Sequence, residues 1–159
     1  GWGTYRAQGP SRSPTSTYGY NGYYLSPAKT PGWAAMIGFR PWRRLDEIQQ
    51  PTELFVFADT ILGTSSATSL PSNTALLDPP QLYSGNFWNE NAFPTTSFRH
   101  DRKGNRDSAR GKALAARADG SVRAVEPAHN STFDERANAG SATKYNDPGY
   151  VPDWREWAE

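Results

Sequence analysis

The sequence predicts an α+β fold in which a small antiparallel sheet dominates, with long irregular loops and little helix. Fourteen Gly and thirteen Pro interrupt the chain so often that long helices have no room. Hydrophobic residues make up only 36% of the chain while aromatics reach 13%, so rings must supply much of the buried area. The clearest apolar runs are short and rich in Phe and Val, which favours strands.

Length and composition limit the classes of protein to consider. The 159 residues fit one domain, and we assign 1–159 to it. A net charge of +1 gives no overall field for nucleic acid or an acidic membrane. The absence of Cys excludes disulfides and thiol chemistry, and no apolar run has the length of a membrane span. The chain begins at Gly1-Trp2 without Met, so we expect that an upstream segment was removed.

The N-terminal third opens with a polar segment and continues into an aromatic stretch. Residues 1–17 are rich in Gly, Pro and Ser and lack a period, which indicates an extended surface segment. The following "YGYNGYYLSP" predicts a strand or an extended loop that is interrupted by a turn at Asn21-Gly22.

The clearest local unit is "RRLDEIQQPTELFVFADT". Leu45 and Ile48 are three apart, as on a short helix, and Pro51 ends that helix. The apolar run 54–58 predicts a buried strand, and we expect Asp59-Thr60 to lie where the strand leaves the core.

The second half of the chain predicts a hairpin between two longer irregular regions. Asp119-Gly120 between two apolar segments is typical of a type I′ turn, which needs positive φ at both central residues. The predicted segments are a long loop 63–94, a strand 95–99, a charged loop 100–111, strands 112–118 and 121–125 around the turn, and a polar C-terminal tail 128–159.

One arrangement of residues resembles a chemical site. His100 with Asp101 and Asp119 could supply imidazole and carboxylates to a divalent metal, although the paired spacing of strong metal motifs is missing. Asp59 and Asp119 could also share His100 for acid/base hydrolysis if their strands pair. The better-supported interpretation is that Asp119 and Gly120 serve turn geometry, so we assign no catalytic residue, metal or cofactor.

Besides a metal-binding or hydrolytic domain using His100, Asp59 and Asp119, one binding function remains as an alternative. The Trp, Tyr and Asn content of "YGYNGYY" and "NFWNEN" would suit a surface carbohydrate-binding module. "NST" at 130–132 matches the glycosylation sequon at Asn130. The basic residues near His100 are interleaved with acids, so we favour a protein partner over nucleic acid; they are Arg99, Arg102, Lys103, Arg106, Arg110 and Lys112.

The order of "YGYNGYY", "RRLDEIQQPTELFVFADT", "FPTTSFRH" and "KALAARADGSV" resembles a known family over residues 18–125. It is similar to the globular part of prepilin-like, type II secretion G-like pseudopilins of the DUF1559 (H-X9-DG) kind. The gap from His100 to Asp119 is longer than the nine residues of that pattern, and the family's N-terminal apolar helix is absent. The matched positions are Tyr18, Gly19, Asn21, Pro51, Glu53, Ala58, Asp59, Arg99, His100, Ala118, Asp119, Gly120 and Val122.

The resemblance implies a pilin-like globular domain that acts as a structural subunit of an extracellular pilus-like or pseudopilus-like filament. It implies a helical homo-oligomer, whose apolar helix lies upstream or on a separate chain. We expect the loop 100–111 to set register between subunits and aromatic rings to bury area there. The candidate interface anchors are Trp2, Trp33, Trp42, Trp88, Trp154 and Trp157.

Overall fold

The computed structural model describes residues 17–25, 45–63, 70–83, 88–101 and 111–151. Its main feature is a six-stranded sheet in the order β7-β6-β2-β5-β8, with β1 paired to β2, and all its strand pairs are antiparallel. These strands are β1 (Thr17–Tyr20), β2 (Phe55–Thr60), β5 (Thr96–Ser97), β6 (Ala113–Arg117), β7 (Val122–Val125) and β8 (Ala139–Gly140). The described helices are α1 (Gly22–Leu25) and a 3-10 helix (Leu45–Glu47). The α+β expectation is therefore confirmed at the level of a mostly antiparallel sheet with little helix.

Strand β2 is the centre of the sheet, and the prediction of a strand at 54–58 is confirmed, but its burial only in part, because Phe57 is 45% exposed. The expectation that Asp59 and Thr60 lie where this strand leaves the core is wrong, because β2 continues through Thr60. Both residues are almost fully buried. Strand β1 covers one side of this end of β2, with Tyr18 opposite Asp59.

The stretch "YGYNGYYLSP" is a strand only as far as Tyr20. Asn21 is fully buried and directly precedes helix α1, where its Oδ1 accepts a 3.3 Å bond from Tyr24 N. Its Nδ2 donates to the carbonyl oxygens of Phe55 (2.9 Å) and Tyr150 (2.8 Å). These long-range partners fix a helical turn at Asn21, where local propensity indicated the turn of a broken strand.

The predicted hairpin forms between β6 and β7, but its turn differs from type I′. Gly120 has φ of 85°, whereas Asp119 is not among the residues with positive φ. Gly120 N donates to Arg117 O (3.0 Å) and Arg117 N to Ser121 O (2.8 Å). This pattern fits a three-residue loop with a glycine in the left-handed region. Asp119 Oδ1 accepts bonds from Ser121 N and Oγ, which hold the loop.

The regions predicted as loop and tail contain ordered structure. Within 63–94, β3 (Gln81–Tyr83) pairs with β4 (Trp88–Glu90) as a separate two-stranded sheet. Within 128–159, β8 pairs with β5. Tyr150 and Val151 are fully buried, so this part of the tail belongs to the core.

The core lies between one face of the main sheet, helix α1 and residues 146–151. Phe55 and Tyr150 meet edge to face with centroids 5.3 Å apart, and the Tyr150 hydroxyl lies 2.7 Å from Thr96 Oγ1. The cluster consists of Tyr23, Tyr24, Ile48, Leu54, Phe55, Ala58, Leu77, Ala115, Tyr150 and Val151. The expectation that aromatic rings supply much of the buried area is met here. None of the helices in the described ranges has the length and apolar character needed to cross a membrane.

Candidate functional site

Strand register divides the main sheet into two faces, because directly paired residues point to the same side. One side carries Ala58 and Ala115 into the core. We call the opposite side the outer face. Across β1, β2, β6 and β7 it carries Tyr18, Tyr20, Phe57, Asp59, Leu114, Ala116, Val122 and Ala124.

The outer face is largely apolar, although much of it is exposed. Tyr18 is 62% exposed, Phe57 45% and Val122 63%. The Tyr20 and Phe57 rings pack with centroids 5.3 Å apart. The solvated face of an antiparallel sheet is ordinarily polar, and a contiguous exposed apolar patch marks an interaction surface.

One end of the outer face holds a charged cluster around Asp59. This carboxylate is fully buried and forms an ion pair with Arg99. Its Oδ2 accepts a 2.7 Å bond from Leu114 N and lies 2.9 Å from His100 Nε2. The His100 approach is close but does not meet the angular requirement of a hydrogen bond, so it is an ionic contact when the ring is protonated. The Arg99 guanidinium also lies 6.0 Å from the centre of the Tyr18 ring.

This cluster is built to hold a buried charge. A buried carboxylate requires paired charges and hydrogen bonds, and Asp59 obtains them from β6 and from the residues after β5. The cluster thereby ties the ends of β1, β2, β5 and β6 together.

The third member of the predicted hydrolytic or metal site lies elsewhere. Asp119 is exposed in the β6–β7 loop, where its N donates to Pro51 O (3.0 Å). It lies in the loop beyond Arg117, which is itself about 10 Å along β6 from Leu114 and the Asp59 cluster. Asp59 and His100 meet as the pairing argument expected, but Asp119 does not join them. Among the described residues, no group of three or more His, Cys, Asp or Glu could hold a metal ion.

Some of the positions that carry the family resemblance are packing anchors in this fold, whereas Tyr18 and Val122 are exposed on the outer face. Besides the Asp59 cluster and buried Asn21, Gly19 lies where an added Cβ would come 2.8 Å from the backbone carbon of Leu76. Ala118 N donates to Leu54 O (3.0 Å), beside the Pro51 contact of Asp119. The motifs therefore bring four segments of the chain into contact.

The predicted interface residues fall mostly outside this description. Trp2, Trp33, Trp42, Trp154 and Trp157 lie outside the described residues, as do positions 102–110 of the charged loop. Trp88 is half-buried and packs near Tyr23, with centroids 6.4 Å apart, at the border of the core.

Sequence reasoning missed Phe57 and Val122 as surface residues. The alternation in "FVFAD" indicates which residues of β2 share a face of the sheet, and the hairpin turn indicates the same for β6 and β7. Combining those signals required the register between β2 and β6, which no short motif specifies.

Comparisons of this chain with protein-family models, with curated proteins and with solved structures found no match.

Proposed function

We propose that this chain is the globular part of a structural subunit in a pilus-like or pseudopilus-like filament outside the cytoplasm. The observation that carries the proposal is the exposed apolar outer face. The order of the family-like motifs and their packing as anchors of one fold also support it. In this role the protein performs assembly and catalyses no reaction.

The dimensions of the outer face suit contact with an element of a neighbouring subunit. Four adjacent strands, β1, β2, β6 and β7, span about 14 Å at ordinary strand spacing. An α-helix with its side chains is roughly 10–12 Å across. Tyr18, Tyr20 and Phe57 would supply the aromatic centre of such an interface, and the charged cluster would form part of its polar rim.

A filament requires a head-to-tail contact that joins two different surfaces of each subunit. A second apolar group lies beyond the end of β2, where Leu62 is 39% and Leu70 is 58% exposed. Leu62 exchanges backbone hydrogen bonds with Ser72, which brings Leu70 into the same region. Neither leucine belongs to the strands that form the outer face, so this group and the outer face are candidates for the two halves of a repeating contact.

The test compares two lysine substitutions at equally exposed phenylalanines. Phe57 is 45% exposed on the outer face, and Phe93 is 44% exposed after β4. We expect the unmodified chain to self-associate with rising concentration in sedimentation velocity and to form elongated particles in negative-stain electron microscopy. Phe57→Lys should abolish this association because it places a charge in an apolar contact, whereas Phe93→Lys should retain it.

Thermal unfolding of both variants shows whether the fold is intact. A chain that stays monomeric at all concentrations without elongated particles would refute the proposal. Equal association of the Phe57→Lys variant and the unmodified chain would exclude the outer face as the contact.

A further inference from the structure

A second surface feature is an open cleft beside the small β3–β4 sheet. Its volume is about 160 Å³. The side chains used in the argument are Gln81, Glu90, Asn130, Thr132, Lys144 and Tyr145, which come from β3, β4 and two segments on either side of β8. The cleft lies outside the outer face of the main sheet.

The walls of the cleft are held by hydrogen bonds. Asn146 is buried, and its side chain bonds both backbone groups of Gln81, at 2.9 Å to N and 3.0 Å to O. Thr132 donates its hydroxyl proton to Glu90, which joins β4 to the segment 130–132. Ser131 Oγ donates to Ala128 O (2.9 Å), which fixes the same turn. A preformed site loses less free energy on binding, because its groups are already ordered.

The lining combines an aromatic ring with hydrogen-bonding groups of both kinds. Tyr145 is 52% exposed, and Lys144 Nζ lies 5.2 Å from its ring centre. Glu90 offers carboxylate acceptors, Asn130 offers an amide with donors and an acceptor, and Lys144 offers donors only. The charges of Lys144 and Glu90 cancel, so the cleft has no net charge. The lining therefore favours a neutral ligand with many hydroxyls and one apolar face.

We infer that this cleft binds one pyranose unit of a neutral carbohydrate. The cleft is open, so its volume of about 160 Å³ has to hold only the part of a sugar ring that faces Tyr145. It is smaller than the roughly 300 Å³ lower limit of ordinary drug-sized sites. Tyr145 stacks on the C–H face of the sugar, while Glu90, Asn130 and Lys144 bond its hydroxyls. Because the cleft is open, the rest of a glycan can extend into solvent.

This site differs from the carbohydrate surface that the sequence indicated. Of the described residues 88–91 of "NFWNEN", Trp88 packs at the border of the core and Glu90 lines the cleft. The stretch "YGYNGYY" supplies the core and the outer face. The inference does not depend on filament assembly, since the two surfaces share no residue.

The test is an NMR titration of the ¹⁵N-labelled chain with the methyl pyranosides of glucose, mannose and galactose. We expect one of them to shift the amide signals of residues 130–132 and 144–145, with an affinity of about millimolar for so small a ligand. Tyr145→Ala should weaken binding by about tenfold or more. Tyr145→Phe keeps the ring and should bind within about twofold of the unmodified chain.

Phe93→Ala is the matched control, because Phe93 is a comparably exposed aromatic that does not line the cleft. Its binding should be unchanged. The inference is overturned if no methyl pyranoside shifts these signals at about 100 mM, a large excess over a millimolar affinity. It is also overturned if Tyr145→Ala binds as well as the unmodified chain, or if only a charged uronic acid binds.

Discussion

Asp78 is expected to destabilise the folded protein at neutral pH. It lies between buried Leu77 and buried Pro79, and its N donates to Thr95 Oγ1 at 2.8 Å. Burial raises the pKa of its carboxyl group from 3.8 to about 6, since the charged form loses hydration in this environment. The substitution Asp78→Asn removes the ionisable group and keeps nearly the same shape.

The sign of the effect follows from proton binding. Between pH 4 and 6 the folded state holds a proton on Asp78 that the unfolded state has released, so the free energy of unfolding falls as pH rises through this range. A pKa raised from 3.8 to about 6 corresponds to roughly 3 kcal/mol. The amide of Asn is itself buried and polar, so we expect Asp78→Asn to stabilise the protein by about 1–3 kcal/mol at pH 7.

The assay is urea unfolding followed by tryptophan fluorescence at pH 4, 5, 6 and 7. The variant should be more stable at pH 7, and the difference should shrink towards pH 4. Asp119→Asn is the matched control with the opposite sign, because hydrogen bonds from Ser121 lower the pKa of that exposed carboxyl group from 3.8. The Asp119 carboxylate therefore stabilises the fold above its unfolded pKa, and this contribution is lost only as pH falls below the range of the assay. From pH 4 to 7 Asp119→Asn should be less stable than the unmodified protein by a nearly constant amount. Parallel pH profiles for Asp78→Asn and the unmodified protein would refute the reasoning.

Two further substitutions test the turn and the charged cluster by thermal and urea unfolding. Gly120→Val should cost about 1–2 kcal/mol, or about 2–8 °C in Tm, through backbone strain, because φ is 85° and an added Cβ meets nothing within 4 Å. Gly120→Asn should cost less, since Asn tolerates this region, and an unchanged Tm in Gly120→Val would contradict the turn. Asp59→Ala should cost about 2–3 kcal/mol, below the value for a fully buried pair because Arg99 and His100 are 24% and 42% exposed. Asp59→Asn keeps an acceptor for Leu114 N and should cost less; equal stability of Asp59→Ala and the unmodified protein would show that the cluster contributes nothing.

The parts of the fold that the sequence predicted correctly rest on local patterns. Strand β2 follows from the apolar run 54–58, and the β6–β7 hairpin follows from Asp119-Gly120 between apolar segments. The predicted turn type was wrong because a glycine at this position is compatible with hairpin loops of several lengths. Here Ser121 closes a three-residue loop by binding Asp119.

The parts that could not be predicted depend on distant partners. Asp59 remains inside a strand because Arg99, forty positions later, pairs with it. The β3 and β4 strands have three residues each within a polar region, too few for a pattern to emerge. The cleft draws its lining from segments that stand more than fifty positions apart in sequence, such as Gln81 and Tyr145. Within the charged cluster, only the contact between Asp59 and His100 could be predicted, as one possible result of strand pairing.

The bonds of Asn21 bear on the order in which the chain folds. One amide joins the start of α1 to Tyr150, 129 positions later, so this contact closes nearly the whole described chain. Closing so long a loop is slow compared with forming the β6–β7 hairpin, whose partners are neighbours. We expect the hairpin to form early and the core around Asn21 to close last. A chain still being synthesised therefore cannot complete this core until its C-terminal residues have left the ribosome.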